Sequence, residues 1–172
     1  MQGYWKNPRA TSETIRDGWL YTGDIGTLDS DGFLKITGRK KELIVTAGGK
    51  NIAPVQLEAL LTADPLIKQA VVIGDRRSYL TALLVPVLDA LQAELDRHQI
   101  PLRASSDVLT DERVQQIYTE RVKDRLKDLS RYEQVGRFTL LDREFSVAQG
   151  ELTPTLKLRR AAVAAKLGIA VI

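Results

Sequence analysis

The spacing of apolar residues changes period several times along the chain, and each change marks an element. Residues 1–17 are polar, and a short helix is expected from Thr11 to Arg16, followed by a turn at Asp17-Gly18. Residues 25–29 and 33–38 alternate with a period of two around Asp29-Ser30-Asp31-Gly32, which predicts a β-hairpin. Gly38-Arg39-Lys40-Lys41-Glu42 is a charged break suited to a linker. Leu43-Ile44-Val45-Thr46 reads as a short strand and Gly48-Gly49 as a turn. Pro54 suits a helix start, Leu57, Leu60 and Leu61 form that helix's apolar stripe, and Asp64-Pro65 ends it. Ala70-Val71-Val72-Ile73 and Thr81 to Val87 predict two buried strands. Asp89 with Gln92 reads as a capping box opening a helix through about His98. Val114, Ile117, Tyr118, Val122, Leu126 and Leu129 recur at helical spacing within an amphipathic stretch, 111–129. Phe138 to Leu141 predicts one more strand, 146–155 a loop, and Leu158 to about Leu167 a basic, Ala-rich helix.

Helices and strands mixed this irregularly predict the α+β class. The first 40 residues hold a hairpin and several aromatics but little that could complete a core, so they read as the end of something larger. Trp5 and Trp19 are expected to be packing residues.

The 172 residues, 44% of them hydrophobic, are enough for a packed core. Lys and Arg number 25 against 22 Asp and Glu, and the signs are interspersed, which argues against nucleic acid as a partner. A peripheral membrane contact is left open but without support. With no cysteine, thiolate metal sites and cysteine nucleophiles are excluded. The single histidine, His98, falls near a predicted helix end and suits a surface role, so no histidine relay is available. No apolar run approaches the ~20 residues of a membrane span and no signal pattern opens the chain, which makes a cytoplasmic location the default expectation.

Four segments carry a resemblance. They are Gly3-Tyr4-Trp5-Lys6-Asn7-Pro8; Gly18-Trp19-Leu20-Tyr21-Thr22-Gly23-Asp24; Gly38-Arg39-Lys40-Lys41-Glu42-Leu43-Ile44 with Gly48-Gly49-Lys50-Asn51-Ile52-Ala53-Pro54 and Glu58; and Gly150-Glu151-Leu152-Thr153-Pro154-Thr155-Leu156-Lys157. In this order and spacing they resemble the adenylate-forming superfamily of acyl-CoA synthetases, luciferases and peptide-synthetase adenylation domains. The resemblance is thinnest from about Leu88 to Gly136. It implies a small mobile C-terminal domain, 41–172, of short antiparallel strands packed with helices. Residues 1–40 would be the hairpin tail of a large N-terminal adenylation domain that carries the ATP-phosphate loop. Leu156, where short-chain relatives usually have glycine, and the extra helical segment between Val87 and Phe138 point to the long-chain fatty-acid–CoA ligase branch.

The resemblance implies two steps: fatty acid and ATP give an acyl-adenylate and pyrophosphate, then coenzyme A displaces AMP. ATP would bring Mg²⁺, held mainly outside this chain, and no metal site is expected in it. Lys157 matches the lysine that stabilises charge on the reacting phosphate; by residue type alone, beside Arg159 and Arg160, it reads as a solvated charge. Asp24 matches the aspartate that holds the ribose hydroxyls and is otherwise a turn residue; Arg39 matches an arginine facing the same ribose and is otherwise a linker charge. Lys41 matches the hinge about which the small domain turns between steps. Gly48 and Gly49 match a loop beside the pantetheine tunnel and are singly no more than a tight turn. Lys50, Arg159 and Arg160 are candidates for the phosphates of coenzyme A. Alone, the segment is expected to be inactive and to bind no cofactor tightly. Two other readings stay open: a non-catalytic interaction module that keeps the fold, and a ligase that loads a carrier protein.

Overall fold

In the computed structural model, which describes residues 1–166, the chain divides into Met1–Glu42 and a second unit starting at Leu43. In the first unit, α1 spans Pro8–Thr14. It starts earlier than the apolar pattern suggests because the Asn7 side chain caps Ala10 N–H at 3.0 Å and Pro8 occupies the first turn. Ile15 and Arg16 are drawn out of the helix into β1 (Ile15–Arg16), which pairs with β2 (Trp19–Leu20). Between them Asp17 and Gly18 both take positive φ, 50° and 81°, as a tight two-residue hairpin requires.

The strands β3 (Asp24–Leu28) and β4 (Leu34–Arg39) form the second, antiparallel hairpin. At its tip, Asp29 Oδ1 accepts from the N–H of Asp31 and of Phe33. No residue of this unit is buried. Trp5 and Trp19, expected to pack, are 87% and 74% exposed, because short hairpins enclose no interior of their own.

The second unit opens with the hairpin β5 (Ile44–Val45) and β6 (Asn51–Ile52), then α2 (Pro54–Thr62) with Pro54 in its first turn. Leu57 and Leu61 are buried but Leu60 faces outward, so the stripe is narrower than predicted. Next come β7 (Ile67–Ile73), β8 (Leu80–Pro86), α3 (Leu88–Arg97), α4 (Glu112–Leu126), β9 (Val135–Leu140) and α5 (Arg160–Lys166).

The sheet runs β7-β8-β9. The pair β7/β8 is antiparallel, but β8/β9 is parallel, since α3 and α4 form the long connection that a parallel pair needs. Alternate residues of β7 and β8 feed two cores. Val72, Leu80, Ala82 and Leu84 join α2, α3 and α4 on one side. Val71, Ile73, Leu83 and Val85 join Phe145 and α5 on the other.

The predicted capping box at Asp89 and Gln92 is absent. Helix α3 starts two residues earlier, with Val87 at its cap and Asp89 inside the first turn. Gln92 instead takes the N–H of Ala104 at 2.9 Å, tying down the following loop. A capping box does form at Ser130 and Glu133, on a 3₁₀ turn. The last helix begins at Arg160 because Leu158 bridges to Leu152; its expected end, Leu167, lies outside the described residues.

Candidate active-site elements

The two expected ribose-facing residues meet. Asp24 begins β3 and Arg39 ends β4, directly opposite in register, and Arg39 Nε lies 2.9 Å from Asp24 Oδ1. Both ends are pinned further: Thr22 Oγ1 accepts the Asp24 N–H at 3.1 Å and the Gly23 carbonyl accepts from Lys40 N at 2.8 Å. The carboxylate is thus oriented before any ligand arrives, with a guanidinium beside it. Lys41 lies exposed in the 3₁₀ turn Lys40–Glu42, which ends the first unit.

In the second unit, Gly48-Gly49 closes the β5–β6 hairpin. Thr46 organises it: its carbonyl accepts from Gly49 N at 2.9 Å and its hydroxyl from Lys50 N at 3.1 Å. Gly49 has φ +73° and open space where a side chain would stand, so its role is conformational and it leaves the backbone approachable. The hairpin is tied to the turn after β7. Val45 N donates to Asp75 Oδ1 at 3.0 Å, Arg76 N to the Val45 carbonyl at 2.7 Å, and Ala47 N to the Arg77 carbonyl at 3.0 Å. Lys50 Nζ sits 5.5 Å from the Tyr132 ring centre, an exposed cation–π contact.

Lys157 stands on a third hairpin. Leu152 and Leu158 pair as an antiparallel bridge, Thr153 N donates to the Lys157 carbonyl at 2.8 Å, and Lys157 N donates to Thr153 Oγ1 at 3.0 Å. Leu156 N returns to the Thr153 carbonyl at 2.8 Å, and Leu156 has φ +60°. That left-handed residue ends a three-residue hairpin loop, a place glycine fills without strain. The Lys157 side chain is exposed and makes no ion pair among the described residues.

The hairpin is held at both ends by carboxylate–guanidinium forks. Before it, Glu151 is 1% exposed and accepts from Arg143 Nη1 at 2.9 Å and Nη2 at 2.7 Å. The Arg143 guanidinium, aided by the Ser146 N–H, holds its carboxyl below the usual range against the opposing effect of burial. After it, Arg160 binds both carboxylate oxygens of Glu58 and the Val72 carbonyl. That engagement holds Arg160 against α2 and β7, whereas Arg159 stays exposed.

These anchors were not readable as a constellation. Glu58 and Arg160 are 102 residues apart, and nothing local in either segment signals the pairing. Tyr132 under Lys50 is likewise a tertiary contact. His98 closes α3 with its side chain half exposed, 3.3 Å from Glu94, in line with a surface role.

Comparison with known proteins bears on the family and the fold. The profile of the family described as AMP-binding enzyme C-terminal domain matches residues 41–137. Over 96% of the chain, it is 46% identical to the long-chain-fatty-acid–CoA ligase FadD15 of Mycobacterium tuberculosis. It is 37% identical, again over 96%, to the long-chain-fatty-acid–CoA ligase ACSBG1 of Homo sapiens. The chain spans only 28% and 26% of the length of these two relatives. Among solved structures, the adenylation domain of a carboxylate reductase from Mycobacterium chelonae superposes with a TM-score of 0.78 at 29% identity, covering 96% of this chain and 24% of that one. The corresponding domain of the carboxylic acid reductase from Segniliparus rugosus, in complex with AMP and a carboxylic acid, gives 0.74 at 26% identity, covering 96% and 25%. With its profile match running over more than half of its residues, the chain belongs to the AMP-binding enzyme C-terminal domain family.

Proposed function

We propose that this chain is the C-terminal part of an ATP-dependent long-chain fatty-acid–CoA ligase, in which 1–40 end the adenylation domain and 41–172 form the mobile C-terminal domain. The observation that carries the reading is Lys157: an exposed ammonium with no counter-ion among the described residues, on a hairpin braced at both ends. The relatives named as long-chain-fatty-acid–CoA ligases support the substrate class.

In the first half-reaction a fatty-acid carboxylate oxygen attacks the α-phosphorus of ATP. A new P–O bond forms and the bond to pyrophosphate breaks. Negative charge builds on the oxygens around phosphorus, and Lys157 stabilises it as a point charge. Asp24 accepts hydrogen bonds from the ribose hydroxyls, with Arg39 fixing its carboxylate. Mg²⁺ travels with ATP and is held by the rest of the enzyme. In the second half-reaction the sulfur of coenzyme A, after losing its proton, attacks the acyl carbonyl, and AMP leaves with the electrons of the C–O bond. Here the Gly48-Gly49 backbone lines the path of the pantetheine arm.

The braces support a rigid-body exchange between the two states. Both loops are fastened to one sheet-and-helix core by hydrogen bonds, so turning the domain about Lys41 can withdraw Lys157 and bring in the glycine loop without refolding either.

The test combines this chain with a separately produced large domain and assays palmitate-dependent pyrophosphate release and acyl-CoA formation. Each part alone should be inactive and the mixture active, with Lys157→Ala losing pyrophosphate release. A folded, associated mixture that turns over no fatty acid would falsify the reading.

A further inference from the structure

We infer that Glu58 and Arg160 are positioning residues for Lys157: their paired side chains lock the base of the Lys157 hairpin onto the open edge of β7. The inference rests on the ligase reading above.

Strand β7 is one of the two outer strands of the β7-β8-β9 sheet. An outer strand leaves alternate backbone N–H and C=O groups without a strand partner. At Val72 both are taken by side chains. The amide donates to Glu58 Oε1 at 2.7 Å, and the carbonyl accepts from Arg160 Nη1 at 2.7 Å. Glu58 and Arg160 then join each other through both guanidinium nitrogens, with Nη2 to Oε2 at 3.0 Å. The pair does at Val72 what another strand would do. A planar bidentate fork fixes direction as well as charge.

Arg160 is the third residue after Lys157, and the residues between are tied. Leu158 bridges to Leu152, and Arg159 N donates to the Glu151 carbonyl at 2.7 Å. The direction of the hairpin therefore follows that of the fork. Arg160 Nε is buried and finds no acceptor among the described residues. The Gly48-Gly49 loop is fastened elsewhere, through Val45 and Ala47 to the Asp75–Arg77 turn. Loosening the fork therefore moves Lys157 and leaves the glycine loop in place.

The experiment uses the full-length ligase with Glu58→Gln, with Arg160→Lys, and with the charges exchanged (Glu58→Arg with Arg160→Glu). Adenylate formation is read as fatty-acid-dependent exchange of pyrophosphate into ATP. The thioester step is read as AMP release from prepared acyl-adenylate and coenzyme A. The kcat of exchange should fall about ten-fold or more in both single variants, with KM for ATP and the thioester step each within about two-fold of the parent. Exchanging the charges should restore none of the lost rate, because a guanidinium would then face the Val72 N–H and a carboxylate its carbonyl. Equal loss in both half-reactions would show that the pair only holds the domain together, and would overturn the proposal. So would unchanged exchange in folded Arg160→Lys, the variant that decides should Glu58→Gln not fold. Exchange untouched by Lys157→Ala is the separate outcome that removes the ligase reading beneath it.

Discussion

At the scale of single residues, Lys157 and its neighbour Leu156 divide the work of the hairpin between chemistry and geometry. Lys157 is exposed and makes no ion pair among the described residues, so removing its charge should cost little in stability. Lys157→Ala in the full enzyme should lower adenylate formation by about 10²–10³ while shifting the thermal midpoint by no more than about 1 °C. Leu156 holds φ +60° with its side chain 71% exposed, so the backbone rather than packing decides what fits there. A branched β-carbon tolerates that angle poorly. Leu156→Ile should therefore destabilise the domain by about 1 kcal/mol or more, measured by thermal unfolding, whereas Leu156→Gly should stay within about 1 kcal/mol of the parent.

At the scale of elements, the Glu151–Arg143 fork gives one brace of the hairpin a pH dependence. Glu151 is buried, and its carboxyl is held below the ordinary range by Arg143, with burial working the other way. A depressed folded-state value means that the unfolded chain takes up the proton first. The stabilisation is complete above the unfolded value, about 4.3, and is lost as pH falls through the folded one. Unfolding midpoints should thus drop in acid below that value, and Glu151→Gln should flatten this part of the profile. Because Arg143 is nearly half exposed, losing the charge at neutral pH should cost about 1–3 kcal/mol. A Glu151→Gln profile that parallels the parent in acid would assign the acid sensitivity to other carboxylates.

At the scale of the whole molecule, the two units differ in what supports them. The second contains both cores, including Leu57, Leu61, Leu84, Leu91 and Leu126, whereas the first buries no residue. A chain beginning at Leu43 should therefore keep a cooperative thermal transition close to that of the intact chain, and residues 1–42 alone should show none. A truncated chain without a sharp transition would mean that the first unit contributes to the fold of the second. The exposed Trp5, Trp19, Phe33 and Leu34 of the first unit suit burial against the rest of a larger domain, the setting the ligase reading gives them.

Much of this was readable locally. Period-two alternation around Asp29–Gly32 marked one hairpin, Leu43 to Thr46 and Gly48-Gly49 marked a strand and turn of another, and the helical spacing of Val114 to Leu126 marked α4, because these signals act over a few residues of backbone. The motif segments marked Asp24, Arg39, Gly48, Gly49 and Lys157 as candidates only through their resemblance to the adenylate-forming superfamily; by residue type alone Lys157 reads as a solvated charge and Asp24 as a turn residue. Local pattern misled where a long-range partner outweighed it. Gln92 reads as part of a capping box but holds Ala104, Trp5 and Trp19 read as packing residues but find no core within their unit, and Arg160, singled out for phosphates of coenzyme A, closes on Glu58. Only the tertiary structure brought Glu58, Val72 and Arg160 together, and Glu151 with Arg143. A bidentate ion pair draws its strength from orientation and exclusion of water, and both exist only once distant segments have packed.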